Sequence, residues 1–448
     1  MKKLFFSLIL LIFALNFFSL DPVGFSIYYN YSLDLKHNQE KASALLNFPQ
    51  SSFIKVHFSH LFLNEEDEIL ISTQNEEYSI KGPYDGEVWL PSISSDTAEI
   101  TLKGDSKNSP FFVIDEIGLG LPQTTGGLES ICENDDRRNA VCYDSTMQMA
   151  ANPVGRMLFQ SGGIWYLCTG FIISPNSHFL TNNHCIEDQT SANTLEVWWK
   201  YQSSTCEGTS GTKEYVSNGS QFIVTNQDYD FTLLQLTDTK PVQNYGYITI
   251  DNRLPILGER IWIPQHGGGN IKKFAVESDL DQSGYAVVVD DNLEGWVANS
   301  DFGYYADTEG GSSGSPVLDI NNKLIGIHHF GLPYGYSCGT YMNQAVKISL
   351  IYPIIAPYLG LPSPPNVTKV KKAADPFRII INGENFQKGI QVFIGSSTAP
   401  WNNVSYKSEN KIILKKGASL KSLFPKGVDV QIKLVNPDGG TAFTVFKR

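Results

Sequence analysis

The stretch "GGSSGSPVL", Gly310 to Leu318, constrains this chain more than any other, because its serines admit two incompatible folds. As G-x-S-x-G it sets Ser312 on a sharp strand-to-helix elbow, with an acid and a histidine expected downstream. As G-x-S-G-x-P it sets Ser313 in a loop between strands, with histidine and aspartate expected upstream. A serine hydroxyl is a weak nucleophile until a base takes its proton and a third group orients that base. Where those partners lie therefore chooses the fold.

Downstream stand Asp319, His328 and His329, but Pro316-Val317-Leu318 reads as a strand and no alternating helices surround it. Upstream, "CTGFIISPNSHFLTNNHCI" (Cys168 to Ile186) places His184 at a strand end. "DYDFTLLQL" then places Asp230 directly before an apolar strand, with Asp228 as a rival in the polar run. The order His, Asp, Ser favours the loop between strands and makes the G-x-S-x-G match incidental.

The rest of the chain agrees with an all-β reading. Runs such as "IKVHF", "EITLK", "WYLCTGFII", "LEVWWKY", "RIWIP", "YAVVV" and "KLIGIHHFG" are strand-like, and turn residues separate them. A helix is expected only around "ISLIYPIIAPYL". At 448 residues, with 42% hydrophobic content, two or three domains are expected. "MKKLFFSLILLIFALNFFSLDP" has the basic start and short apolar run of an export signal, too short for a membrane span. The expected order is a signal peptide over 1–20, a β-sandwich over 21–124 that is either a propeptide or a retained module, a catalytic core over 128–360 and a small antiparallel sandwich over 365–448. "GLGLPQTTGG" and "GLPSPPNVTKV" are the linkers, and "NPDGG" is a turn near the end. The net charge of -12 argues against a nucleic-acid partner.

Six cysteines (Cys132, Cys142, Cys168, Cys185, Cys206, Cys338) lie within the central segment. In an exported chain an even count reads as disulfides. No C-x-x-C pair or suitably spaced histidine suggests a metal, and no cofactor is expected.

The patterns T-x-x-H-C, D-F-T-L-L and G-x-S-G-x-P together resemble the chymotrypsin-like serine peptidases. The resemblance implies a double β-barrel, with His184 as general base, Asp230 as its orienter, Ser313 as nucleophile, and the N–H groups of Gly311 and Ser313 as the oxyanion hole. "VWWKYQSSTC", "DFTLLQL", "GSSGSPV" and "KLIGIHHFG" look like bacterial lysyl endopeptidase and its relatives, which implies a secreted precursor and the pairs Cys132–Cys338, Cys142–Cys206 and Cys168–Cys185. The last 84 residues, with "GENF" and "NPDGG", resemble the IPT/TIG immunoglobulin-like domain, which implies a spacer or a module for a surface protein or glycan. Protein or peptide substrates are the other partners implied.

Asp307 stands where trypsins hold the carboxylate that pairs with a P1 Lys or Arg, and Asn343 stands where lysyl endopeptidase uses an aspartate. Thr308 and His328 instead match glutamyl endopeptidases, so P1 is either Lys/Arg or Glu. Ser312 replaces the aspartate that pairs with a freed N-terminus in trypsins, and Asn182 and Asn183 replace two alanines. His37, His57, His60, His178, His266 and His329 read as surface or core. The reading from a different class is a catalytically inert adhesin or binding protein on a peptidase fold.

Overall fold

The computed structural model describes residues 20–448 apart from 37, 123–128, 332–337, 339–340, 361–364, 396, 398 and 438–439. Nearly all of the export signal, His37, parts of both linkers and part of the "NPDGG" turn thus lie outside the described residues. The chain divides into two compact units, Met1–Ile351 and Tyr352–Arg448.

Within the first unit, alternation in the N-terminal segment builds two sheets. Lys41–Asn47, Thr97–Lys103, Glu68–Ser72 and Glu77–Lys81 form one, in that order. Gly24–Asp34, Phe111–Gly120, Ile54–Leu63 and Tyr84–Trp89 belong to the other. Their inward side chains, including Ile54, Phe58, Ile69, Ile100 and Phe112, fill one shared core.

The second of these sheets does not end at the module boundary. Gly24 and Phe25 pair with Trp165 and Ile164 on Ile164–Ile172, so the sheet continues into the catalytic core. There it includes Val154–Ser161, Glu196–Trp199, His178–Thr181 and Phe231–Leu236. A further eight-stranded sheet contains Ile261–Gln265, Pro316–Asp319, Leu324–Phe330, Asn343–Lys347 and Asp301–Tyr304, with its own core around Ile263, Phe302 and Ile325.

This continuity explains why "IKVHF" departs from simple alternation. Its polar members are buried as well as its apolar ones, because the strand is covered on both faces. Lys55 is fully buried, and its ammonium lies 2.5 Å from Glu196. Burial lowers the Lys55 pKa, whereas Glu196 is held below the usual carboxylate range because its ion pair and its bonds from Ser92 outweigh burial. Ser92 donates to Glu196 through both N–H (2.8 Å) and Oγ (2.6 Å), and Trp198 Nε1 donates to it as well.

Two expectations for the core change. "YAVVV" forms no strand, because its backbone bonds go in turn to Val276, Glu259, Ile261 and Gly303 and no single ladder can grow. The helix Ile348–Ile355 is present, but so are Ser145–Ala150, Gln189–Thr194 and Lys240–Tyr245. The first two of these three are capped by Asp144 and Asp188. The expected disulfide pairs all form: Cys132–Cys338, Cys142–Cys206 and Cys168–Cys185. Closing long loops of this kind restricts the unfolded chain, by about 3 kcal/mol for the shortest.

The second unit holds two antiparallel sheets. Asn366–Ala373, Arg378–Glu384, Lys411–Leu414 and Val404–Ser408 form one, and Gln391–Ile394, Asp429–Val435 and Thr441–Lys447 form the other. Ile379, Val392, Ile412, Ile432 and Leu434 share its core.

Removing one partner of a buried ion pair strands the other charge. Lys55→Met should therefore destabilise the folded chain by about 3–5 kcal/mol. Adding Glu196→Gln should recover part of that loss by removing the unpaired charge, but not all of it, because in either orientation the amide NH2 faces the N–H of Ser92 or of Trp198. Denaturant unfolding of the single and double variants measures both effects.

Candidate active site

His184 follows the strand His178–Thr181, and Cys185 beside it is bonded to Cys168 on Ile164–Ile172. The disulfide fixes the backbone that carries the imidazole. His184 Nδ1 lies 2.8 Å from Asp230 Oδ2, and the His184 backbone N–H donates to Asp230 Oδ1 at 3.0 Å. Cys168, His184 and Cys185 bring ligand-type atoms together, but both sulfurs are committed to the disulfide, which removes them as metal ligands.

Asp230 is buried and has a left-handed backbone, with φ +41°. That conformation costs free energy in a non-glycine residue and must be held by its surroundings. Asn182 Nδ2 donates to the Asp230 carbonyl at 2.8 Å, and Asn183 Nδ2 donates to Thr225 Oγ1 at 2.8 Å. The two asparagines thus replace apolar packing with hydrogen bonds on the segment that presents the acid. Asp228, the rival, makes no bond to His184, and its neighbour Tyr229 is held by Asn226.

Sequence reasoning missed His329. Its Nδ1 lies 3.2 Å from Asp230 Oδ2, and its Nε2 lies 2.6 Å from Asp301 Oδ2. Burial alone would lower its pKa, but the hydrogen bonds and charges of the two aspartates raise it to about 9. Burial would likewise raise Asp230, yet the charge and hydrogen bond of His184, with those of His329, hold it well below the usual carboxylate range. The adjacent pair "HH" was the available signal. Its partner Asp301, on a strand paired with Asn343–Lys347, is apparent only in three dimensions.

The three serines of "GGSSGSPVL" are now distinguishable. Ser312 and Ser315 are fully buried, while Ser313 is partly exposed. Ser312 Oγ donates to Gln265 Oε1 at 2.5 Å and accepts the Glu309 N–H at 3.1 Å. Thr169, next to Cys168, donates its N–H to the Ser313 carbonyl (2.8 Å) and its Oγ1 to the Gly311 carbonyl (2.9 Å). Those bonds tie the serine loop to the strand whose disulfide anchors His184. Gly311 has φ +93°, and Gly314 has φ +84° with the Thr169 carbonyl 2.1 Å from where a Cβ would sit. Both positions require glycine. The N–H groups of Gly311 and Ser313 do not take part in the backbone network, which leaves these donors for a ligand.

The candidate specificity residues are placed differently from one another. Asp307 is buried, and its two oxygens accept the N–H groups of Cys132 (2.7 Å) and Asp136 (2.8 Å). Burial, only partly opposed by those bonds, raises its pKa to about 6. Each oxygen of the Asp307 carboxylate thus holds a backbone N–H at the start of the catalytic core. Thr308 is buried with an unpartnered hydroxyl, and Asn343 donates to the Ala306 carbonyl at 2.8 Å. His328 shares a 2.8 Å bond with Tyr304 OH; burial, followed by the charges of His329 and His184, lowers its pKa to about 3, so the ring is neutral.

Residues 130–345 match the family described as lysyl endopeptidase, C-terminal domain, a segment that carries His184, Asp230 and Ser313. This chain is a serine endopeptidase. Lysyl endopeptidase of Pseudomonas aeruginosa is 27% identical over 289 residues, 56% of each protein's length. Secreted RxLR effector protein 73 of Plasmopara viticola is 29% identical over 329 residues, covering 68% of this chain and 81% of that protein. A solved Glu endopeptidase in complex with MPD is 25% identical with a TM-score of 0.36, covering 51% of this chain and 98% of the other. Among the described residues, no helix is long and apolar enough to cross a membrane.

The raised His329 pKa carries a sign for stability. A group whose folded pKa exceeds its unfolded value near 6.5 contributes fully below that pH and loses its contribution as pH rises through about 9. The depressed Asp230 contributes above about 3.9 and loses its contribution in stronger acid. Unfolding free energy should fall on both flanks, and His329→Gln should flatten the alkaline one. Denaturant titrations from about pH 2 to 10 provide the comparison.

Proposed function

We propose that the chain is an exported endopeptidase that works by acyl transfer through Ser313, His184 and Asp230. Ser313 attacks the peptide carbonyl while His184 takes its proton; His184 then returns that proton to the leaving amine. Asp230 keeps the imidazole oriented and stabilises its cation without itself becoming protonated. Gly311 and Ser313 donate their N–H groups to the developing oxyanion, where losing one donor typically costs ~10² to 10³ in rate. The single observation that carries this assignment is the contrast between the serines: Ser312 is sequestered on Gln265, while Ser313 is accessible beside the oxyanion glycine.

For P1 the reading favours glutamate over Lys or Arg. Asp307 is committed to backbone N–H groups, so the other specificity candidates are the uncharged Thr308, His328 and Asn343. A hydroxyl and a neutral imidazole can hydrogen-bond a carboxylate but offer an ammonium no counter-charge. The resemblance of the second unit to an IPT/TIG domain makes it a binding module. It carries fourteen Lys and Arg against five Asp and Glu, a net of +9, which favours an acidic surface glycan.

Ser313→Ala and His184→Ala should each lower turnover by ~10⁴ or more. Ser312→Ala should retain most activity, and a fluorophosphonate should label Ser313 in the unaltered protein. Absence of labelling in folded protein would support the inert adhesin instead. Cleavage-site mapping in a mixed peptide pool should show Glu at P1; a Lys or Arg profile would overturn the pocket assignment.

A further inference from the structure

We propose that the N-terminal β-module is a working part of the enzyme, forming one wall of the cleft that receives substrate residues on the leaving-group side of the scissile bond. This rests on the serine-peptidase reading above and adds a substrate preference to it.

A cleft of about 1250 Å³ lies between the module and the catalytic core. Phe53, Asn75, Glu77, Tyr78 and Ser94 line it from the module. Leu167, Trp198, Gly269 and Gly311 line it from the core. Its floor therefore reaches the oxyanion glycine and the residue preceding Cys168. None of Thr308, His328 and Asn343, the groups assigned to P1, borders it. A peptide passing the oxyanion position with P1 among those groups must send its other half the opposite way, into this cleft.

The module also supports the loop it overhangs. Glu76 lies 3.1 Å from Lys213, whose ammonium sits 3.8 Å from the centre of the Trp198 ring. The Arg156 guanidinium lies 4.0 Å from the centre of that same ring, and its Nε donates to the Gly269 carbonyl at 2.7 Å. The N–H of neighbouring Gly268 donates to the Gly310 carbonyl at 2.6 Å, one residue from Gly311. Together with the continuous sheet and the buried Lys55–Glu196 pair, this contact chain argues against a module that leaves the active enzyme.

Charge gives the cleft its selectivity. Asp21, Glu76, Glu77, Glu214 and Glu309 border it. Glu76 is paired with Lys213, Glu214 with Lys200 and Glu309 with Arg137, so its net negative charge rests on Asp21 and Glu77 against Arg156. An acidic, partly enclosed groove favours basic residues in the leaving half of the substrate.

The test uses the full chain and internally quenched peptides with one common acyl half, compared with a short ester that has no leaving-side residues. With Lys or Arg at the second and third leaving-side positions, kcat/KM should exceed that of the Glu-substituted peptide at least tenfold, and the ratio should shrink with salt. Glu77→Lys, at an exposed position on Glu77–Lys81, should reduce the ratio several-fold. After fluorophosphonate labelling, the labelled species should still contain residues 21–122 on size exclusion and mass spectrometry. A ratio near one, no effect of Glu77→Lys, or a labelled species lacking the module would each overturn the proposal. If the unaltered chain fails even to cleave the ester, the peptidase reading falls, and the proposal with it.

Discussion

The buried carboxylate of Asp230 is the group around which the catalytic core is arranged. An isolated carboxylate removed from water is prohibitively costly, so the fold must supply its solvation. It does so with the His184 N–H, the His184 ring and the His329 ring. Each donor imposes a requirement of its own. His184 needs a fixed strand end, which the Cys168–Cys185 bridge provides, and His329 needs Asp301 behind it so that its own buried charge is balanced. The left-handed backbone at Asp230 is held by Asn182. A strained acid, two histidines and a second aspartate form one electrostatic unit, so altering any member changes the charge balance of the rest.

A second constraint acts between the N-terminal module and the core. Lys55 and Glu196 gain little net stability from their attraction, since both lose hydration on burial. Their consequence is specificity of docking, because displacing the module by one strand register would leave two buried charges unpaired. Phe53 and Trp89 pack on Trp165 with ring centres 6.3 and 5.2 Å away, which adds the apolar part of the same joint. Polar residues in an alternating strand usually mark a solvent face. Here they mark a face turned towards another module.

That point also explains what could and could not be read from the amino acids. Cys168, Thr181, His184 and the glycines at 311 and 314 were legible because each meets a local backbone demand that a short motif records. Asp307 was legible only as a position; its commitment to Cys132 and Asp136 depends on a contact between segments 171 residues or more apart. His329 was read as surface or core for the same reason. The N-caps Asp144 and Asp188 were present in the sequence, but six-residue helices leave too little periodicity to register. Net charge hides a division along the chain. The value of -12 is the sum of +9 on the second unit and -21 on the first, so it describes neither.

Ser312 makes the final connection. In trypsins an aspartate at this place pairs with a newly freed N-terminus, so the oxyanion loop is completed only after cleavage. Here the Ser312 hydroxyl is bonded to Gln265, while Asp307 grips the backbone at Cys132 and Asp136. Glu129 and Ser130 pair with Glu309 and Thr308 as short strands beside the same loop. These contacts hold Gly311 at its positive φ in the uncut chain. The order of this loop thus comes from internal hydrogen bonds, the Asp307 carboxylate, the Arg137–Glu309 ion pair and strand pairing. A freed α-ammonium has no buried aspartate to meet at position 312, so the ion pair that orders this loop in trypsins has no counterpart at that position.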